Sequence, residues 1–407
     1  MACIAVDQLE PGMVLSEDVL DVNTRLLLSK GQKIIPKHIR VLKIWGVNEV
    51  NIVGDAKDVI KIIPPSDPGK ESRVKEAVDI VFSHLNHGHP ILNEIHRVSL
   101  TYRLQEDVPM CPMSTPQPLR ADGSLDRPKN VGRHIQKIDA KLPEAPFIIT
   151  ELNNVIADDH STSNDVAQVV NKSPSLSAVI LKIVNSAFYG FPSKIDRISR
   201  AVTIIGTKQI SSIALGICVM QAFKDIPKEF LDTKAFLRHS LACGLVARVI
   251  GAFKNMADTE QLFVSGLLHD IGKLILFKYY PDHAREAINL AITSGSSVYE
   301  TEKRTVGLNH TQIGRHLIRK WRLPTELEAN IVFHHTPSRS PDPIKSGIIQ
   351  LADLIAHGLG IGGSGEKSVP CADTTVLDQI GISANAVHLV ARQATQQLMP
   401  LEVIFEG

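Results

Sequence analysis

The chain has 407 residues, too many for one compact core, and is read as two or three domains. Its hydrophobic fraction of 43% and charged fraction of 21% are those of an ordinary globular protein. A formal net charge of +1 provides no global field, which argues against direct nucleic-acid binding and against an anionic membrane surface as a partner.

The five cysteines, Cys3, Cys111, Cys218, Cys243 and Cys371, are scattered and include no C-x-x-C pair. Neither a disulfide framework nor a thiolate zinc site is therefore expected, and a reducing compartment fits. The first residues, MACIAVDQLEPG, lack a basic stretch ahead of an apolar run, and the apolar segment from Ile210 to Phe223 is too short to span a bilayer. The expectation is a cytoplasmic protein.

Residues 1–56 read as a small β-rich accessory domain. Short β-type runs at Met13–Leu15, Arg25–Leu28 and Glu49–Val53 alternate with turn residues at Pro11-Gly12 and Lys30-Gly31. One short helix fits between Pro36 and Gly46. Residues 57–130 read as a helical connector and a Pro-rich linker. The helical part runs from about 71 to 105, with Val74, Val78, Val81-Phe82 and Leu85 at helical spacing, and holds His84, His87, His89 and His96. No acidic or Cys partner stands at ligand spacing, so these imidazoles read as a solvated helix face. The stretch 107–132 is rich in Pro, Ser, Asp and Gly and reads as linker.

Residues 131–407 read as all-α, with an N-terminal half at 131–225 and a second half at 226–407. Ser173 is an N-cap with Pro174 at the first helical position, and Leu176, Val179-Ile180 and Ile183-Val184 form the buried stripe. Gly190 is read as the end of that helix. Thr162 and Asp165 form a capping-box-like start for the helix before it. The fold class expected is multidomain, a small β-rich N-terminal domain followed by a large all-α domain.

The segment from Leu142 to Ile210 resembles the opening of an HDOD domain, a branch of the HD superfamily related to HD-GYP proteins. The resemblance rests on Pro143 and Pro146, the SPSL helix start, the NSAFYG turn at Asn185–Gly190, and a helix ending at Ile205-Gly206. The N-terminal pattern is similar to the small β-rich domain found ahead of HD-GYP and HDOD modules. Together these imply a helical fold and a role in bacterial signal transduction without a definite reaction.

The strongest chemical signal is LLHDIGK, Leu267 to Lys273. An adjacent His-Asp pair on a helix can offer an imidazole to one metal and a carboxylate that bridges to a second, so that a shared water ionises near neutral pH. The HD-superfamily resemblance supplies the companions: His239 one helix upstream, His310 at the start of a later helix, the double His334-His335, and Asp353 as the closing carboxylate. It implies one interior pocket of His239, His269, Asp270, His310, His334, His335 and Asp353 holding one or two divalent metal ions, Fe or Mn, with Asp270 as the bridge. Asp270 and Lys273 are the candidate catalytic residues. Two divalent ions against Asp270 and Asp353, with Lys273 adding charge, make a positive site suited to phosphate.

Two departures bound the function. After His335 the chain runs TPSRSPDP and lacks the loop that HD-GYP phosphodiesterases place around cyclic dinucleotides. Ala235 stands where some of those enzymes carry a Glu for a third metal. His316, His357 and His388 fall outside the pattern and read as ordinary helix residues. The reading is a regulatory output module with a protein partner in a signalling pathway and a divalent-metal pocket. The alternatives are a metal-dependent phosphohydrolase or phosphodiesterase acting on a nucleotide or cyclic dinucleotide, and a receptor that binds a nucleotide or phosphate without cleaving it.

Overall fold

In a computed structural model, the chain is described over residues 2–6, 9–20, 26–36, 38–39, 42, 47, 49–53, 68–83, 85, 88–105, 142–158, 160–186, 189, 191, 193–223, 226, 231–366 and 368–402. The expected linker at 107–132, His84, His87, Gly190 and most of the helix expected at 36–46 lie outside these residues. The chain divides into two compact units, residues 1–73 and 74–407.

The first unit holds the strands β1 (Ala2–Ala5), β2 (Val19–Leu20), β3 (Leu26–Leu28) and β4 (Glu49–Ile52). β1 pairs antiparallel with β4, Ala2 opposite Ile52, and β2 pairs antiparallel with β3, Val19 opposite Leu28. Val6, Leu9, Leu15, Val19, Leu28, Ile34, Leu42, Val50 and Ile52 form its core. The β-run expected at Met13–Leu15 contributes isolated bridges only, Val14 to Lys33 and Leu15 to Ile52.

Among the described residues, the second unit contains helices and no strand. They are α1 (Pro68–Val81, which begins in the first unit), α2 (Pro90–Gln105), α3 (Phe147–Ala157), α4 (Ser163–Asn171), α5 (Pro174–Val184), α6 (Ile198–Ile205), α7 (Thr207–Gln221), α8 (Thr233–Phe253), α9 (Thr259–Leu268), α10 (Ile271–Tyr279), α11 (Pro281–Ser294), α12 (Val298–Thr305), α13 (His310–Lys320), α14 (Thr325–Phe333), α15 (Pro343–Leu359), α16 (Thr374–Ile380) and α17 (Ala384–Glu402). α8 is central and packs against α9, α15 and α17. It is the one described helix long and apolar enough by composition to cross a membrane, and 72% of its apolar window is buried among its neighbours.

Helix starts follow the sequence signals. Thr162 and Asp165 close a capping box on α4, and the Ser173 side chain caps α5 ahead of Pro174. The stretch read as one connector helix is two, α1 and α2, broken ahead of Pro90. It is a packed part of the unit: α2 lies on α15 and α17 and buries Ile91, Leu92, Ile95 and Val98.

α5 ends at Val184, six residues before Gly190, because Asn185 takes over the chain there. Its side-chain amide donates to the carbonyls of Leu181 (2.8 Å) and Ile195 (2.7 Å), and its side-chain oxygen accepts from the Ile195 N–H at 2.7 Å. The amide thus pins the loop that leads into α6. Asn185→Ala leaves the backbone of the buried Ile195 without these partners. It is expected to cost roughly 1–3 kcal/mol of stability, with metal content per folded molecule unchanged. Thermal unfolding beside elemental analysis checks both halves.

Candidate metal centre

All seven residues expected to converge do so, carried on separate elements. His239 projects from α8 and Asp353 from α15, two helices in contact. His310 opens α13 behind an Asn309–Gln312 capping box, and His334-His335 follow the end of α14. His269 and Asp270 stand at the junction between α9 and α10 rather than within one helix. Both flanking segments are apolar, so the sequence reads as continuous. The break frees Asp270 to turn toward α13.

Close packing brings α10 and α13 together. A Cβ on Gly272 would lie 1.9 Å from the carbonyl oxygen of His310, so only glycine allows this approach. The result places Asp270 Oδ1 3.2 Å from His310 Nε2 and 3.9 Å from His334 Nε2. His335 Nε2 lies 3.1 Å from His310 Nε2. On the other side, His239 Nε2 is 3.1 Å from Asp353 Oδ1, and His269 Nε2 is 3.4 Å from Asp270 and 3.8 Å from Asp353. Two adjoining donor groups result: His239, Cys243, His269 and Asp353, and then Asp270, His310, His334 and His335.

The orientation of the rings tests whether a cation fits. Nδ1 of His269 donates to the Gly266 carbonyl (2.7 Å), Nδ1 of His334 to the Ile331 carbonyl (2.8 Å), and Nδ1 of His310 to the Glu302 carboxylate (2.7 Å). With that proton fixed on Nδ1, the neutral ring turns the lone pair of Nε2 toward carboxylate oxygens. His269 Nε2, His334 Nε2 and Asp270 Oδ1 are buried and have no hydrogen-bond partner. Acceptors facing acceptors at this depth need a positive charge between them, and divalent ions fit that need.

The field inside the centre follows from the same contacts. Burial opposes a charge on Asp270, yet Lys273, His269 and His310 hold it well below the usual carboxylate range. Asp353 is likewise held low against burial, by the hydrogen bond from His239 and the charge of His269. Burial works against protonation of His269, but Asp270 and Asp353 outweigh it and raise the imidazole to about 9, so its Nε2 takes either a proton or a divalent ion, and metal binding there releases the proton. Burial, with His269 nearby, pushes His334 down to about 3.

Several functional neighbours were not legible in the sequence. Glu302, from α12, accepts from both the His310 ring and the His310 backbone N–H (2.8 Å). Lys273 donates to Asp270 (2.8 Å), Ser364 (3.2 Å) and Glu366 (2.8 Å). Its three hydrogens are thereby committed, so Lys273 is not the open phosphate clamp the sequence suggested. Glu302 and Glu366 also bring two carboxyl groups to the centre, burial pushing that of Glu366 up, which tempers the positive site expected from Asp270 and Asp353 alone. Ser364 and Glu366 sit on a glycine-rich loop after α15. Gly362 docks it on α8, where a Cβ would meet the Ala235 carbonyl oxygen at 2.1 Å. Cys243 belongs to no C-x-x-C pair but stands one turn after His239 on α8. His357, read as ordinary, is buried with its ring 6.1 Å from that of His239.

Glu302→Gln is expected to weaken metal binding about 10–100-fold, since the group that fixes the His310 tautomer loses its charge. Competition against a chelator, with wild type and variant side by side, reads this directly.

The HDOD domain family model matches residues 142–337. That interval carries His239, His269, Asp270, His310, His334 and His335, while Asp353 and Glu366 follow it. An uncharacterised protein of Treponema pallidum is 25% identical over 214 residues, which is 52% of this chain and 41% of that relative's length. A solved structure of a candidate phosphohydrolase from Shewanella amazonensis superposes with a TM-score of 0.54 at 24% identity, covering 67% of this chain and 97% of that one. An HDOD domain protein of unknown function from Geobacter sulfurreducens superposes at 0.50 with 20% identity, covering 68% and 94%. At these identities the two structures speak to the fold, which they share with the helices that build the centre. Residues 142–337 are an HDOD domain.

Proposed function

We propose that this protein is a cytoplasmic signal-transduction output module. Its helical body contacts a protein partner, and its buried His/Asp centre holds one or two divalent ions in a closed, non-hydrolytic pocket. Enclosure supports this reading over catalysis. The space beside Lys273, bounded also by Leu276, Phe277, Glu302 and Ser364, has a volume of about 10 Å³, room for a single water, and the cleft lined by Gly365, Glu366 and Ser368 has about 190 Å³. A nucleotide-sized ligand needs roughly 300–1,000 Å³. The Ser364–Glu366 loop occupies Lys273, the residue a phosphate would need.

His310, His334 and His335 with Asp270 form a thiol-free donor set that suits Fe or Mn. Elemental analysis of protein purified with and without air, then assay of the metal-loaded chain on bis(4-nitrophenyl) phosphate, tests the proposal. The expected result is bound metal without turnover above the metal-free protein. A metal-free chain under both conditions overturns it.

A second reading, a metal-dependent phosphohydrolase or phosphodiesterase acting on a nucleotide or cyclic dinucleotide, is favoured by one observation. The two donor groups adjoin, with the His269 and His334 rings 5.1 Å apart, as a two-metal site requires. Under that reading the Glu366 loop moves aside. Metal-dependent turnover that increases in Glu366→Ala and disappears in Asp270→Ala assigns hydrolysis.

A further inference from the structure

Cys243 follows His239 by four positions on α8, so both side chains leave the same helix face. Its sulfur lies 3.5 Å from His239 Nε2. One donor atom from each of His239, Cys243, His269 and Asp353 lies within 4.8 Å of all the others, and all four residues are buried. Metal–sulfur and metal–nitrogen bonds of about 2.3 and 2.0 Å at a tetrahedral angle place sulfur and nitrogen about 3.5 Å apart. The same geometry places nitrogen and oxygen about 3.3 Å apart, and His239 Nε2 stands 3.1 Å from Asp353 Oδ1.

Two further observations point to a ligand at this spot. His269 Nε2 is fully buried and has no hydrogen-bond partner. Asp270 Oδ2, the oxygen on the side of His269, is already paired with Lys273 at 2.8 Å. A carboxylate so engaged is a poor fourth donor for the ion beside His269, and the thiol of Cys243 stands at the vacant corner.

We propose that Cys243 is the fourth ligand of the first metal position, completing a closed His239–Cys243–His269–Asp353 set for a thiophilic divalent ion of the zinc or cobalt class. This rests on the metal reading above and refines it: the centre has two unlike positions, one with a thiolate and one without. On binding, the Sγ–H proton leaves to the buffer and a sulfur lone pair forms the metal–sulfur bond, with no change of oxidation state. Four protein donors leave the first position no open corner, as in structural rather than catalytic sites.

The test uses the full chain, stripped of metal and reloaded with Co(II) alone. Wild type is expected to show an intense near-ultraviolet sulfur-to-cobalt charge-transfer band. Cys243→Ser should lose that band and about half of the bound cobalt, and Cys218→Ser should keep both. Cobalt bound without the band in wild type, or a band that survives Cys243→Ser, overturns the Cys243 assignment and leaves the metal reading standing. No cobalt bound at all overturns both. Cadmium NMR on the wild type gives the same answer should Cys243→Ser fail to fold: one resonance shifted downfield by a thiolate supports the assignment, and only nitrogen–oxygen-type resonances refute it.

Discussion

Asp270→Ala is expected to empty the position formed with His310, His334 and His335, and to lower stability by roughly 3–5 kcal/mol. Its two oxygens do different work. Oδ1 faces His310 at 3.2 Å and His334 at 3.9 Å, while Oδ2 pairs with Lys273 at 2.8 Å. Removing the side chain takes the only carboxylate from a set of imidazoles. It also leaves a fully buried ammonium with Glu366 as its remaining charged partner. Loss of His334 or His335 alone removes one neutral donor and no counter-ion, so those variants should retain more metal and more stability. Metal analysis and urea unfolding of the three variants order them. Adding Lys273→Met to Asp270→Ala should restore part of the stability and none of the metal, because the burial cost of the ammonium disappears while the ligand stays missing. Full metal occupancy in Asp270→Ala would refute this placement.

The seven-residue pattern was legible because the LLHDIGK segment resembles the HD superfamily, and that resemblance implies the companions at His239, His310, His334, His335 and Asp353. The structure adds the local reasons: an Asn309–Gln312 capping box opens the helix at His310, and Asp353 lies on a buried face of α15. Glu302 escaped notice because it acts on His310 from another helix across a turn, where no helical spacing relates the two. Glu366 and Ser364 reach Lys273 from more than ninety positions away, on a loop with no periodicity to read. Cys243 was missed for a different reason. His239-x-x-x-Cys243 is not a C-x-x-C pair, although the i,i+4 spacing that aligns two His on a helix aligns His and Cys equally well. The junction at His269-Asp270 was hidden by apolar residues on both sides, since burial all round erases the amphipathic pattern that marks a helix end. In the β-rich unit, the short runs at Leu26–Leu28 and Glu49–Ile52 were legible as strands, but which strand pairs with which depends on contacts far apart in sequence.

The other large effect expected concerns where the helical unit begins. Residues 74–407 should fold alone, whereas a fragment starting at 131, where the sequence places the domain boundary, should be strongly destabilised. α1, the residue just after it and α2 bury Val74, Val78, Phe82, Ile91, Leu92, Ile95 and Val98 in the core of this unit. At roughly 1.5–3 kcal/mol for each Val, Leu, Ile or Phe side chain, the seven represent about 10–20 kcal/mol. That is comparable with the whole folding margin of about 5–15 kcal/mol. Ordering α1 and α2 costs conformational entropy that offsets part of this sum, but their loss also leaves apolar faces of α15 and α17 open to water. Arg103 adds a polar contribution: its guanidinium donates to the carbonyl of Gly358 at 2.9 and 3.0 Å, satisfying the end of α15. Because α15 carries Asp353, fraying at that end should reach the metal centre. Circular dichroism melts and bound metal for fragments 74–407 and 131–407 are the measurements. The longer fragment should match the full chain in metal content, and the shorter should melt far earlier and hold less. Equal melting temperatures would show that α1 and α2 are dispensable cover rather than part of the core.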